Sequence, residues 1–259
     1  CAPHPEVSTA YTAYVMGIMT QLAKRFGNEA DAALFGEYHE GCRKAYQELV
    51  TTEEYPLDTD RQARLVRPLA LDLLTEEQAD FARNRLIRAM ESYGWRLGTG
   101  FLSTPMILDV LSDIDIGAAY RLLENEEIPG WLSMPKLGAT TIWESWEGPY
   151  NKQGAGAGSL NHYSKGAMCE WLFKTMCGIR IDGENRFVIA PRPGGSLTHA
   201  EASWNSIYGM VKSGWQSDET GTEYRITVPA NCCAEVILPG MDAVQALSGT
   251  HMWRIPNGH

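Results

Sequence analysis

Residues 160–195 have the sequence LNHYSKGAMCEWLFKTMCGIRIDGENRFVIAPRPGG, and the pattern of apolar residues changes within this stretch. Up to Cys177 the apolar residues recur with helical spacing, and Gly178 is a typical residue to end a helix. Arg186–Ala190 is a short β run, followed by the turn cluster Pro191–Gly195. We therefore predict a chain that is mainly α with a β C-terminal domain, divided into domains 1–179 and 180–259.

Two stretches upstream of this junction carry the start and stop signals of helices. Apolar residues between Tyr11 and Phe26 recur every three to four positions. Ser8 is suited to cap the start of this helix, and Gly27 is suited to end it. Further along, residues 75–78 (Thr-Glu-Glu-Gln) have the capping-box pattern. We therefore predict helices over residues 8–26 and 75–93.

Long connections separate some of the predicted helices. Helices are also expected over residues 29–50, 62–74, 105–111, 116–125 and 160–177. The connections 95–104 and 128–159 are rich in glycine, tryptophan and threonine, and long loops in compact domains are usually functional or disordered. Because short turns alternate with these long loops, we predict a partial α/α toroid whose long loops meet at one mouth.

The last 80 or so residues have the alternation of β-strands. Tyr224, Ile226 and Val228 alternate with polar residues, as they would in a half-buried strand. Cys233–Leu238 is a second strand, and it is closed by a Pro-Gly turn. These short strands predict a small antiparallel β-sandwich.

The composition excludes several classes of partner and cofactor. The chain has 259 residues, a net charge of −10, and no cluster of lysine and arginine, which argues against a nucleic-acid partner. It has no run of about 18 apolar residues, so we expect no membrane span. The six cysteines have neither metal-ligand spacing nor the pattern of a disulfide framework, and we expect no metal and no cofactor.

The stretch with the most chemical information is GATTIWESWEG, residues 138–148. It places Glu144 and Glu147 among the aromatic residues Trp143 and Trp146. Glycoside hydrolysis uses two carboxyl groups, which in an inverting enzyme stand about 6.5–9.5 Å apart. Two glutamates only three positions apart on one loop can hardly span a sugar, so a catalytic partner must come from elsewhere. His162 could bind a sugar hydroxyl, although a solvated Glu144 and a structural His162 remain the alternatives.

Several stretches, taken together and in order, resemble the bacterial α-L-rhamnosidases of glycoside hydrolase family 78. The stretches are Thr99-Gly-Phe101, Gly138-Ala-Thr-Thr-Ile-Trp-Glu144, Ser159-Leu-Asn-His-Tyr163 and Arg186-Phe-Val-Ile-Ala-Pro-Arg-Pro-Gly-Gly195. The resemblance implies an (α/α)₆ six-hairpin barrel followed by a β-sandwich, and an inverting mechanism without a metal. It implies that Glu144 is the general base and that His162 contacts the rhamnose. Trp143, Trp146, Glu147, Phe101 and Thr99 are the other residues that we expect to bind substrate, although the family often has aspartate in place of Glu147.

One part of the family pattern has no match in this chain. The motif that carries the general acid is not found, and about seven predicted helices stand where a complete toroid needs twelve. We therefore expect the acid to lie upstream, and the missing half of the barrel, or self-association, to close the toroid. Two alternatives stay open: another exo-glycosidase on the same toroid, and a truncated, non-catalytic carbohydrate-binding remnant. The compartment, bacterial cytoplasm or periplasm, is also open.

Overall fold

The structure is a computed structural model that describes residues 4–150 and 158–257. Residues 151–157, which belong to the second predicted long connection, lie outside this description. The chain divides into two compact units: residues up to Val110 with Glu127–Gly130, and Leu111–Glu126 with the residues from Trp131 onward. Within the described ranges, no helix combines the length and the apolar character that a membrane span requires.

Helices occupy the first part of the chain and strands the last part. The longer helices are α1 (Pro5–Arg25), α2 (Glu29–Leu49), α3 (Gln62–Ala70), α4 (Glu76–Ser92), α5 (Ile107–Ile114) and α6 (Ile116–Leu123). Short helical segments follow: α7 (Ser133–Lys136), a 3₁₀ turn (Gly148–Tyr150), α8 (Tyr163–Gly166), α9 (Met168–Trp171) and a π turn (Leu172–Met176). The strands are β1 (Ile179–Ile181), β2 (Arg186–Ile189), β3 (His199–Ser206), β4 (Gly209–Asp218), β5 (Gly221–Val236) and β6 (Val244–Pro256). The predicted fold class, a helical part followed by a C-terminal β domain, is confirmed.

The helix termini follow local chemistry, with one correction. The capping box is confirmed, because the Thr75 hydroxyl accepts from the Gln78 N–H while the Gln78 side chain accepts from the Thr75 N–H. Gly27 follows the end of α1 with φ +70°, as predicted. The predicted cap at Ser8 is wrong: α1 begins at Pro5, because proline is well suited to the first helical position.

The α1–α2 hairpin packs through small residues of α1. Ala10 and Ala13 are fully buried, and a Cβ on Gly17 would lie only 3.1 Å from His39 Nδ1. The same nitrogen lies 2.8 Å from the Ala13 carbonyl oxygen, which ties the two helices together. The larger apolar residues of α1 are exposed instead, namely Tyr14 (43%), Val15 (46%), Ile18 (40%) and Leu22 (43%). Residues 4–150 and 158–257 therefore leave one apolar side of α1 uncovered.

A buried ion pair joins three helices of the first unit. Glu6 of α1 forms a direct ion pair with Arg67 of α3, and both side chains are buried. The Tyr46 hydroxyl of α2 donates to Glu6 Oε1 at 2.8 Å. Burial, together with the neighbouring Glu6 carboxylate, raises the pKa of Tyr46 far above its usual value. Tyr46 therefore remains a hydrogen-bond donor over the accessible pH range.

Strand β5 organises the C-terminal sheet. Its first half pairs antiparallel with β4 and its second half pairs parallel with β2, while β6 pairs with β5 along both halves. The β5–β6 register shifts between Val228 and Cys233, so β5 is irregular there. The two strands predicted near residues 224–228 and 233–238 are thus parts of one long strand.

The segment predicted as one helix over residues 160–177 is broken. It consists of α8, α9 and the π turn, and residues 160–162 are not helical. The predicted stop at Gly178 is confirmed, with φ +77°. A Cβ at this position would lie 2.1 Å from the Pro191 nitrogen, so only glycine fits where the π turn meets the end of β2.

Candidate functional site

Two segments of the second unit run side by side and bring the predicted site residues together. The Glu144 N–H donates to the Ser159 carbonyl at 2.8 Å, and the His162 N–H donates to the Ile142 carbonyl at 2.8 Å. The Thr141 hydroxyl also donates to the Leu160 carbonyl. We call this pairing of residues 141–144 with residues 158–162 the Glu–His ladder. It links Glu144 and His162 through backbone hydrogen bonds.

The Glu144 side chain is exposed but oriented. Its Oε2 atom accepts a hydrogen bond from the Ser159 N–H at 2.8 Å. Gly158 lies against the same oxygen, since a Cβ there would be only 3.1 Å from Oε2. An exposed carboxylate with one oxygen held by a backbone donor is suited to act as a base toward a water molecule.

His162 has a structural contact as well as an accessible position. It is half-buried and is the N-cap of α8, because its Nδ1 accepts from the Ser164 N–H at 3.2 Å. Its ring stacks on Tyr163, with centroids 5.0 Å apart and planes inclined by 18°. When Nδ1 accepts, the neutral ring carries its proton on Nε2. The cap therefore selects the tautomer in which Nε2 is a donor.

Trp143 supports the loop that carries Glu144. It is 5% exposed, its ring lies 6.3 Å from that of Tyr150, and it packs directly on the backbone of Gly148. Gly148 has φ +50°, and a Cβ there would lie 2.1 Å from Trp143 Cε3. The Trp143 ring thus occupies the space that a side chain at position 148 would need.

Trp146 belongs to a cluster that the sequence did not reveal. The Lys165 ammonium lies 4.4 Å from the centroid of the Trp146 ring, and the Trp131 ring meets Trp146 edge-on at 6.3 Å. The Trp131 indole N–H donates to the Lys165 carbonyl at 2.9 Å. Burial lowers the pKa of Lys165, and the carboxylates of Glu144 and Glu147 oppose this effect. No motif of the sequence includes Lys165 or Trp131, so these contacts are what reveals the cluster.

The remaining predicted residues, Thr99 and Phe101, belong to the first unit. Thr99 is buried, and its hydroxyl oxygen lies 2.9 Å from that of Thr104. Phe101 is exposed. The second unit thus contains Glu144, His162, Trp143, Trp146 and Glu147 together, whereas substrate contact by Thr99 and Phe101 stays a prediction. Among residues 4–150 and 158–257, no group of three or more His, Cys, Asp or Glu side chains is arranged to hold a metal ion.

Comparison with known families identifies the class of protein. The pattern of the bacterial alpha-L-rhamnosidase 6 hairpin glycosidase domain matches residues 2–176, and that of the bacterial alpha-L-rhamnosidase C-terminal domain matches residues 181–251. The chain belongs to the bacterial α-L-rhamnosidase family. The resemblance predicted from the sequence is therefore confirmed.

Individual relatives of this rhamnosidase-family chain are much longer than it. An alpha-L-rhamnosidase of Streptomyces avermitilis is 34% identical over 256 residues, which are 96% of this chain and 25% of that protein. One of Formosa agariphila is 32% identical over 243 residues, or 91% of this chain and 26% of that protein. The chain therefore spans about a quarter of the length of these relatives.

Solved rhamnosidase structures have the same fold. The native enzyme of Aspergillus terreus superimposes with a TM-score of 0.86 at 29% identity, covering 95% of this chain and 30% of that one. The Streptomyces avermitilis alpha-L-rhamnosidase complexed with L-rhamnose superimposes with a TM-score of 0.84 at 30% identity, covering 96% of this chain and 26% of that one.

Replacing Gly148 with alanine should disturb the Trp143 support of this rhamnosidase-family loop. We expect the free energy of unfolding to fall by about 1–3 kcal/mol, because the new methyl group overlaps the buried Trp143 ring and forces it to move. Gly138→Ala is the matched control: Gly138 also has positive φ (+84°), but a Cβ there meets nothing within 4 Å. Thermal unfolding of both variants measures the difference. Equal losses would mean that backbone strain, and not the Trp143 contact, requires glycine.

Proposed function

We propose that this chain is the C-terminal part of a glycoside hydrolase that removes terminal α-L-rhamnosyl groups with inversion, and that Glu144 is its general base. The main support is the Glu144 carboxylate, which is exposed, held by the Ser159 N–H at 2.8 Å, and linked by the Glu–His ladder to His162. The chain's membership of the bacterial α-L-rhamnosidase family supports the choice of sugar.

In the proposed reaction, the Glu144 carboxylate accepts a proton from a water molecule. The water oxygen attacks the anomeric carbon, and the bond from that carbon to the leaving oxygen breaks. A general acid on the opposite side protonates the leaving oxygen, so that an α-L-rhamnoside yields β-L-rhamnose. Glu147 shares a short loop with Glu144, so we assign the acid to residues upstream of this chain.

The sugar-binding part of the proposal uses the same loop and ladder. His162 Nε2 donates to a rhamnose hydroxyl, Trp143 and Trp146 form the apolar wall, and Glu147 accepts from a further hydroxyl. Rhamnose carries a methyl group, and an aromatic wall suits such an apolar group. Substrate contact by Thr99 and Phe101, which belong to the first unit, is a separate part of the proposal.

The proposal also includes the upstream part of the barrel as a partner. The exposed side chains of α1 (Tyr14, Val15, Ile18 and Leu22) supply an apolar surface of the kind that further helices of a toroid would cover. A separate part of the proposal concerns the domain boundary: the helical domain ends near residue 179, and the sheet domain begins near residue 180.

The direct test is an assay of the complete protein that contains this chain. A panel of 4-nitrophenyl glycosides should show turnover of the α-L-rhamnopyranoside, and proton NMR of the first product should show the β anomer. Retention of configuration would contradict the inverting mechanism. Preference for another sugar would favour a different exo-glycosidase, and rhamnose binding without turnover would favour a non-catalytic remnant.

Variants of His162 can separate its binding role from its capping role. His162→Asn keeps an N-cap acceptor for the Ser164 N–H, so we expect normal stability and roughly 3- to 10-fold weaker L-rhamnose binding, as one lost hydrogen bond implies. His162→Ala should weaken binding equally, and it should also lower the free energy of unfolding by about 1 kcal/mol because the helix cap is lost. Calorimetric titration with L-rhamnose and thermal unfolding measure the two effects. Normal binding by both variants would leave His162 with only its structural contact.

A further inference from the structure

Three side chains beside the proposed base form a closed set of contacts. The buried Trp131 ring holds the Lys165 carbonyl through its indole N–H at 2.9 Å. The Lys165 ammonium returns over the Trp146 ring at 4.4 Å, and Trp146 meets the edge of Trp131 at 6.3 Å with planes inclined by 83°. We call these residues the Trp–Lys–Trp cluster. Each member restrains the other two.

The position of Lys165 within this cluster is well determined by its neighbours. Its backbone lies in α8, the turn that His162 caps, and its carbonyl is held by Trp131. Its side chain is half-buried, and its ammonium interacts electrostatically with both Glu144 and Glu147. A cation over an indole ring is attracted by the negative face of the ring system. Lys165 therefore holds one face of Trp146, and its charge also acts on the carboxylates of Glu144 and Glu147.

We propose that Lys165 is a positioning residue, which orients the Trp146 ring and so shapes the wall against which the sugar binds. This inference rests on the proposed function, because it takes Trp146 as part of the sugar site. The two faces of Trp146 have different roles: one is covered by the Lys165 ammonium, and the ligand meets the remaining surface of the ring. Lys165 itself does not contact the sugar.

The test uses the complete protein labelled with 5-fluorotryptophan and two substitutions of Lys165. Trp146→Leu identifies the fluorine resonance of Trp146, because that resonance is lost from the spectrum of the variant. Lys165→Met keeps the length of the side chain and removes the charge. We expect the Trp146 resonance to shift and KM for 4-nitrophenyl α-L-rhamnopyranoside to rise roughly 2- to 10-fold, with a much smaller change in kcat. Lys165→Arg keeps a cation that stacks on aromatic rings, so it should restore both readouts.

A double-mutant cycle distinguishes positioning from direct contact. In the Trp146→Leu background, Lys165→Met should have no further effect on KM, because the ring that Lys165 orients is gone. An unchanged Trp146 resonance in Lys165→Met would overturn the proposal, as would an undiminished KM effect in the Trp146→Leu background. Wild-type protein that neither hydrolyses the rhamnoside nor binds L-rhamnose would instead overturn the proposed function, before any variant is measured.

Discussion

Glu144→Gln should lower kcat of the complete protein by about 10²–10⁴-fold, because in the proposed mechanism glutamine cannot accept the proton of the attacking water. The amide still fits the space of the carboxylate, and its oxygen can still accept from the Ser159 N–H, so folding should be unaffected. The measurement is the steady-state rate on 4-nitrophenyl α-L-rhamnopyranoside, with thermal unfolding of the same sample. Normal turnover by Glu144→Gln would contradict the assignment.

A matched control and a chemical rescue make this test specific. Glu184→Gln removes an exposed glutamate in the turn between β1 and β2, and it should leave kcat unchanged. Glu144→Ala opens space beside the anomeric carbon, and azide is a nucleophile that needs no base. Added azide should therefore restore turnover of Glu144→Ala and give the β-L-rhamnosyl azide, as the leaving oxygen still receives its proton from the general acid. A rhamnosyl azide of α configuration would place Glu144 on the wrong side of the sugar.

Arg67→Met should destabilise the α1–α3 region by about 3–5 kcal/mol, because it leaves the buried Glu6 carboxylate without its cation. Tyr46 would remain as a neutral donor to Glu6, which is a weaker partner for a buried charge. Hydrogen–deuterium exchange of peptides from α1 and α2 measures the loss of local stability. Thermal unfolding measures the effect on the stability of the complete protein.

Two further variants test whether the burial of the Glu6–Arg67 pair causes the expected destabilisation by Arg67→Met. Arg85→Met removes an arginine that pairs with the exposed Asp58 and Asp60, and it should cost at most about 1 kcal/mol. Glu6→Gln combined with Arg67→Met removes both buried charges. The double variant should recover much of the stability that Arg67→Met alone loses. If Arg67→Met and Arg85→Met had equal effects, the burial of the Glu6 pair would be energetically unimportant.

Local signals in the sequence predicted the helix termini well, since the chemistry that sets them is also local. The capping box at Thr75, the glycine stop at Gly27 and the change of structure at Gly178 each depend on a few neighbouring residues. The predicted start of α1 was wrong because both Ser8 and Pro5 are suited to the N-terminal end of a helix. The spacing of the apolar residues alone does not decide between them.

Long-range pairing accounts for what the sequence did not predict. Residues 160–162 have helical spacing, but the Glu–His ladder holds His162 beside Ile142, so helix α8 begins only at Tyr163. In the same way, β5 was predicted as two strands because only its pairing with β6 shows that it continues past Val228.

The residues of the candidate site could be named from the sequence, but the residues that support them could not. The loop with Glu144 and the segment with His162 were identified from their residues, and the structure places them together. Lys165 and Trp131 were missed because neither belongs to a motif, and their role depends on contacts with Trp146.

The Glu–His ladder also has a consequence for engineering new specificities. Because Glu144 and His162 enter the ladder through their backbone N–H groups, an exposed side chain beside them, such as that of Asn161, can be exchanged without breaking these hydrogen bonds. Libraries at such positions could therefore be selected for recognition of the group attached to the sugar, while the two residues proposed to act on the rhamnosyl group keep their register.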